Sequence, residues 1–182
     1  MPRHAHYLPH GVIPAVLLPF SDDLAIDEKG FRKHLRDVAA TDGISAVTIN
    51  AHSTEVASCS FEEQRRVLAI TQDEIGDRLP IVNGIWADGS LEAARIARMA
   101  EEGGASALLV FPPAPFTLQQ SPAMAVEHFK RIADAYANHH ANADPSFNAY
   151  ANADCHRICK CACRSVKDRR RSAVFVCKQR IW

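Results

Sequence analysis

The sequence predicts an α/β fold built on a parallel sheet, and three observations carry that prediction. Four short apolar runs recur, Val12–Leu18, Ile44–Ile49, Leu79–Ile85 and Ala107–Phe111, with starts 32, 35 and 28 residues apart. Each is rich in Val, Ile or Leu with little polar alternation, as strands covered on both faces read. Between the runs lie segments with helical periodicity and helix-start signals. Strand followed by helix, four times over, means βα units. An open doubly wound sheet and a (β/α)₈ barrel both fit this pattern.

The helices follow in order. Asp27 is placed to cap a segment whose Phe31, Leu35, Val38 and Ala39 share one face. Ser60-Phe61-Glu62-Glu63 is a capping box, with the serine oxygen accepting from the Glu63 amide and the Glu63 carboxylate reaching back. Val67, Leu68, Thr71 and Ile75 then recur at helical spacing. Ser90 is read as the cap of a third helix with Ala93, Ile96, Ala97 and Ala100 inward. Ser121-Pro122 opens a fourth, with Ala125, Phe129, Ile132, Ala133 and Tyr136 inward. Proline suits the first helical position, where its missing N–H has no partner to lose.

Composition divides the chain near residue 136. Residues 1–136 hold 12 Lys/Arg and 18 Asp/Glu, giving −6; residues 137–182 hold 9 and 3, giving +6. All eight glycines and all eleven leucines lie in the first part, and five of the six cysteines lie in the second. The reading is therefore a partial (β/α) barrel over 1–136 and an irregular, basic, cysteine-containing tail over 137–182. The chain as a whole is formally neutral, which argues against a polyanion-binding protein. The first residues lack the apolar stretch of a signal peptide. The longest apolar run, nine residues with two prolines, is far short of the roughly 20 that span a membrane. A cytoplasmic location with no membrane partner is the expectation.

In parallel α/β folds ligands meet the carboxyl ends of strands. The second run ends in Asn50-Ala51-His52-Ser53-Thr54-Glu55. A hydroxyl pair on a tight loop can hold a carboxylate, and it can equally satisfy its own backbone amides. Gly-x-Gly-x-x-Gly and P-loop patterns are absent, which weakens a nucleotide-binding open sheet. Four units make half of a barrel of about 250 residues.

Six landmarks stand in order: Gly11 through Phe20; Asp27 before a helix; the 50–55 loop; Ser60 through Val67; then Leu79 through Gly84 and Gly103 through Pro113. This series resembles the dihydrodipicolinate synthase / N-acetylneuraminate lyase family, over residues 11–136. The resemblance implies a (β/α)₈ barrel, here incomplete with about four βα units, and lyase chemistry. A lysine forms a Schiff base with a 2-keto acid, usually pyruvate, and no cofactor is needed because the imine is the electron sink.

The family loop usually reads Gly-Thr-Thr-Gly-Glu or Gly-Ser-Thr-Gly-Glu. Here Ala51 and Thr54 replace its glycines, and His52 stands where relatives carry a proton-relay hydroxyl. The resemblance therefore implies His52 as the catalytic proton shuttle, Ser53 with Thr54 as substrate-binding hydroxyls, and Glu55 as a structural acid. Imidazole can shuttle protons near neutral pH. The family's Pro-Tyr-Tyr after the fourth strand is Pro112-Pro113-Ala114-Pro115-Phe116 here. That loss argues against faithful dihydrodipicolinate synthase chemistry and for a related keto-acid aldolase or dehydratase.

The family's fifth and sixth strands supply a tyrosine and the Schiff-base lysine, and nothing after Tyr136 reads like them. Lys29, Lys33 and Lys130 fall on helices, and Lys167 has no apolar run before it. The chain is therefore read as a truncated member, inactive by itself and prone to self-association through unclosed sheet edges and inner faces. A second reading is a non-catalytic α/β remnant with a metal- or nucleic-acid-binding tail. Cys155, His156, Cys159, Cys161 and Cys163 are potential zinc ligands, but their spacing matches no common zinc module, so no metal site is expected. The basic run Arg164, Lys167 and Arg169–Arg171 comes with no recognition motif, so nucleic acid is not the expected partner.

Overall fold

The computed structural model describes residues 3–4, 7–113, 121–137 and 173–176 of the 182. Strands β1 (Val47–Ile49), β2 (Ile81–Ile85) and β3 (Ala107–Val110) pair in parallel, joined by a fourth, β4 (Ala173–Val176), in the order β1-β2-β3-β4. Helices α1 (Glu28–Ala39), α2 (Phe61–Ile75), α3 (Ser90–Glu102) and α4 (Pro122–Ala137) connect and cover them. Strand order follows sequence order without reversal, and successive helices pack on one another, α1 on α2, α2 on α3 and α3 on α4. A doubly wound sheet reverses its order at a switch point; a barrel does not.

The first apolar run departs from expectation. Instead of a full strand over Val12–Leu18, it makes isolated parallel bridges, Val12 with Ile44 and Ala15 with Thr48. Pro14 lacks an N–H, so it can only accept, which it does from Thr48. On the side facing away from β1, the Leu17 N–H donates instead to Nε2 of His34 on α1, at 3.1 Å.

β4 is the second departure, because no strand was expected after Tyr136. Ala173-Val174-Phe175-Val176 is an apolar, β-branched tetrapeptide, and its backbone runs parallel to β3 with Leu108 opposite Val174. The tail readings, namely Lys167, the arginine run and the Cys155–Cys163 ligand set, lie outside the described residues.

The helix caps follow local chemistry. The Asp27 carboxylate accepts from the Gly30 amide at 2.9 Å, and Ser60 with Glu63 forms the reciprocal box. The expected inward residues of α1 to α3 are buried, with Phe31, Leu35, Val67, Ala93 and Ala97 fully so, while Val38 and Ala39 are half-buried. On α4, Ile132 and Tyr136 are buried, and Ala125, Phe129 and Ala133 half-buried. Ser90 corrects the sequence reading. Gly89 is the N-cap of α3, and Ser90 is the first helical residue, hydrogen-bonded through Oγ to His128 Nδ1 of α4 at 2.9 Å. The hydroxyl ties two helices together rather than capping one.

The sheet has two unlike faces. Val47, Ile49, Ile81, Ile85, Leu108 and Val110 pack against the helices in the main core. Ala46, Val82 and Ala107 point the other way and form a second cluster with Tyr7, Ile13 and Leu109. All three are at most 4% exposed, so the expectation of a bare inner face is not met. Of the large apolar side chains left exposed, Leu8, Val12, Leu17, Phe20 and Leu24 lie along the first run and its flanks, and Leu91 and Met124 lie on α3 and α4.

Candidate functional site

The loop after β1 is held from three directions. Asn50 is buried, and its Nδ2 donates to the Gln64 carbonyl of α2 at 3.0 Å and to Asn83 Oδ1 of β2 at 2.8 Å. Asn83 Nδ2 in turn donates to the Gly84 carbonyl at 2.8 Å. A Cβ on Gly84 would stand 2.7 Å from the Asn50 carbonyl carbon and overlap its oxygen, so only glycine admits this approach. Further along, Gln64 Nε2 donates to the Cys59 carbonyl at 3.2 Å, fixing the loop's exit.

Two non-glycine residues take left-handed backbone here, Asn50 at φ 49° and Glu55 at φ 52°. Ala51 is extended at φ −114°. Positions 51 and 54, where the resemblance implies glycine, do without it in this loop because its left-handed turns fall on neighbouring residues.

Thr54 corrects an expectation. It is 1% exposed, its Oγ1 accepts from the Ala51 amide at 2.7 Å and donates to the Ala51 carbonyl at 2.8 Å. This hydroxyl staples the loop internally and is withdrawn from any ligand. Glu55 is exposed, and what it contributes to the loop is its backbone: its N–H donates to the His52 carbonyl at 3.1 Å.

Ser53 and His52 face different neighbours. Ser53 is half-buried and lines an open pocket of about 450 Å³ with Glu55, Leu17, Leu18, Pro19, Gly30 and His34. Its hydroxyl makes no hydrogen bond among the described residues. His52 is exposed, and its ring lies 4.4 Å from that of Phe111 at 39° and 6.4 Å from that of Trp86 at 76°. Trp86 directly follows β2 and Phe111 directly follows β3, so two strands end in a ring and meet the His52 ring of the loop three residues past β1. Sequence reasoning missed Trp86 and Phe111. Their signal was position: an aromatic side chain at the carboxyl end of an apolar run, closing it at Phe111 and directly following it at Trp86.

The electrostatics exclude one chemistry. Burial, with help from Glu63 and Glu55, pushes the Cys59 thiol up, so it is protonated at neutral pH and is no thiolate nucleophile. Among the described residues no three His, Cys, Asp or Glu side chains are placed to hold a metal ion. None of the helices among them is long and apolar enough to cross a membrane. The three described lysines, Lys29, Lys33 and Lys130, are exposed on α1 and α4, with Lys33 paired to Asp37.

Comparison with known proteins places these features in a family. The sequence matches the dihydrodipicolinate synthetase family over residues 8–140. The 4-hydroxy-tetrahydrodipicolinate synthase of Methanothermobacter thermautotrophicus is 30% identical over 125 residues, covering 69% of this chain and 43% of that protein. That of Methanothrix thermoacetophila is 33% identical, covering 69% and 41%. Among solved structures, a dihydrodipicolinate synthase from Acinetobacter baumannii complexed with pyruvate superposes with a TM-score of 0.63 at 26% identity, covering 69% of this chain and 42% of that one. CdNal from Clostridium difficile, solved with mannosamine, gives 0.60 at 21% identity, a likeness of fold. The chain spans less than half the length of these relatives.

Proposed function

The chain belongs to the dihydrodipicolinate synthetase family, and on that premise we propose that it carries the substrate-carboxylate loop of a Schiff-base 2-keto-acid lyase. The substrate is pyruvate or a similar 2-keto acid. In that chemistry a neutral lysine amine adds to the keto carbon and water leaves. The imine accepts the electron pair of a C–C bond being broken or of a C–H bond losing its proton. The enamine so formed returns the pair to an acceptor carbon when a C–C bond is made, or expels a hydroxyl, leaving as water, when a C–O bond breaks. Ser53 holds the carboxylate and His52 moves the proton, both at the carboxyl end of β1.

The observation that carries this reading is the Ser53 hydroxyl, half-exposed in its pocket beside an Asn50 amide and a Thr54 hydroxyl that are already engaged within the protein. Thr54 is assigned to loop integrity instead. The amine is the missing part. Carbonyl attack needs an unprotonated lysine, which enzymes obtain by burial or a neighbouring positive charge. Lys29, Lys33 and Lys130 lie exposed on the helical surface, without the burial that would lower an amine's pKa. We therefore assign to this length of chain keto-acid binding without productive imine formation, in a barrel whose catalytic strands lie elsewhere than in the described residues.

Pyruvate titration followed by NMR tests the binding step: saturable binding lost in Ser53→Ala supports it, and binding unchanged by that substitution refutes it. Incubation with pyruvate and borohydride, with intact mass and peptide mapping, tests the second. No stoichiometric adduct is expected. A single stoichiometric adduct, abolished by Ser53→Ala, would show that the chain holds a working amine.

A further inference from the structure

We propose that His52, Trp86 and Phe111 form an aryl subsite beside the Ser53 loop, so that the keto acid or its acceptor carries a flat aromatic group. The proposal rests on the keto-acid reading of that loop and names the substrate class more narrowly. Three observations carry it. Trp86 and Phe111 directly follow β2 and β3, and His52 stands in the loop three residues past β1, all at the carboxyl ends of consecutive parallel strands where this architecture meets its ligands. Phe111 is buried beneath the His52 ring at 4.4 Å, while His52 stays exposed and Trp86 half-exposed, so ring surface remains open above a packed floor. The Phe111 and Trp86 rings are tilted 39° and 76° to that of His52, leaving both a face and an edge for a further ring.

A carboxylate alone needs no such surface. Pyruvate's methyl group is too small to cover it, and a half-exposed indole and an exposed imidazole on and beside the loop that carries Ser53 suit a ligand that is ionic at one end and flat and apolar at the other. Offset and edge-to-face contacts favour an aromatic group over an aliphatic one of similar size.

The test compares pyruvate, 4-methyl-2-oxopentanoate and phenylpyruvate by saturation-transfer NMR on the full 182-residue chain. Phenylpyruvate is expected to bind about tenfold tighter than pyruvate, with saturation reaching its ring protons and the branched aliphatic acid gaining little. Trp86→Leu and Phe111→Leu, each checked for an unchanged far-UV spectrum, are expected to erase that advantage and leave pyruvate binding intact. An equal gain for the aliphatic acid, or an aryl advantage that survives both substitutions, overturns the proposal. Benzyl alcohol, which lacks the carboxylate, separates the two readings. If pyruvate does not bind but benzyl alcohol binds in a Trp86-dependent way, the keto-acid reading fails and the aryl subsite stands. If pyruvate binds through Ser53 and neither ring probe senses Trp86, the subsite fails alone.

Discussion

Gly84→Ala is the sharpest perturbation that the structure offers. The added Cβ would lie 2.7 Å from the Asn50 carbonyl carbon and 3.1 Å from the Ala51 nitrogen, besides overlapping the Asn50 oxygen. Carbon–carbon contacts settle near 3.5–4.0 Å, so β1 and β2 would have to part by about 1 Å at this point. The atoms in the way are backbone, so no rotamer change relieves them. Overpacking of this kind costs about 1–3 kcal/mol. Parting the strands also strains the buried Asn50–Asn83 bond, whose loss carries about 1–3 kcal/mol. A total destabilisation of about 2–6 kcal/mol follows. Urea unfolding followed by far-UV circular dichroism reads it: with a slope near 2 kcal/mol/M the midpoint drops by about 1–3 M. Gly89→Ala is the matched control, because a Cβ there meets nothing within 4 Å. If both variants unfold within about 0.2 M of the parent, the close approach is not what glycine serves at position 84.

Four further outcomes are expected. Thr54→Val removes both hydroxyl bonds to Ala51 and leaves that amide unpaired, so it should destabilise by about 1–3 kcal/mol and weaken pyruvate binding through the loop; urea midpoints and NMR titration measure the two effects. Ser60→Ala should lower stability by about 1 kcal/mol through the lost cap, seen as a lower melting temperature. Tyr136→Phe deletes the buried bond from the phenol to the Ala105 carbonyl and should cost about 1 kcal/mol in the same assay. Burial holds the His128 imidazole below its ordinary value of 6.5, so the unfolded chain takes up this proton first as pH falls. Its contribution is complete above about pH 6.5 and is lost as pH falls from there through the folded-state value; unfolding midpoints between pH 5 and 7.5 should slope less in His128→Gln.

What could be read from the sequence was what local chemistry decides. The apolar runs at 44, 79 and 107 became β1 to β3, and Asp27 and Ser60 cap the helices that follow them, because a cap is complete within four residues. The parallel fold class followed from repetition of those units. Ser90 misled because its partner, His128, lies 38 residues away, and no local pattern announces a bond between helices. The first run misled because Pro14 leaves a gap in the ladder that apolar periodicity does not register. In the loop, Ser53 and His52 could be singled out by residue type, but Thr54 looks the same in sequence whether its hydroxyl serves a ligand or its own backbone. Gly84 was visible as part of a motif without its reason, since the crowding atom belongs to the neighbouring strand. Trp86 and Phe111 converge on His52 only once three strands are set in register.

The bond from Leu17 to His34 bears on how the sheet behaves among other chains. A strand whose outward amides are unsatisfied can template a stranger, and aggregation starts there. Here the plug is a side chain from the strand's own following helix, so protection travels with the βα unit and needs no neighbour. It also dictates chemistry: accepting at Nε2 obliges a neutral His34 to keep its proton on Nδ1. Replacing His34 with leucine would preserve helix propensity yet uncork that amide beside the exposed Leu17 and Val12, turning a guarded margin into a sticky one.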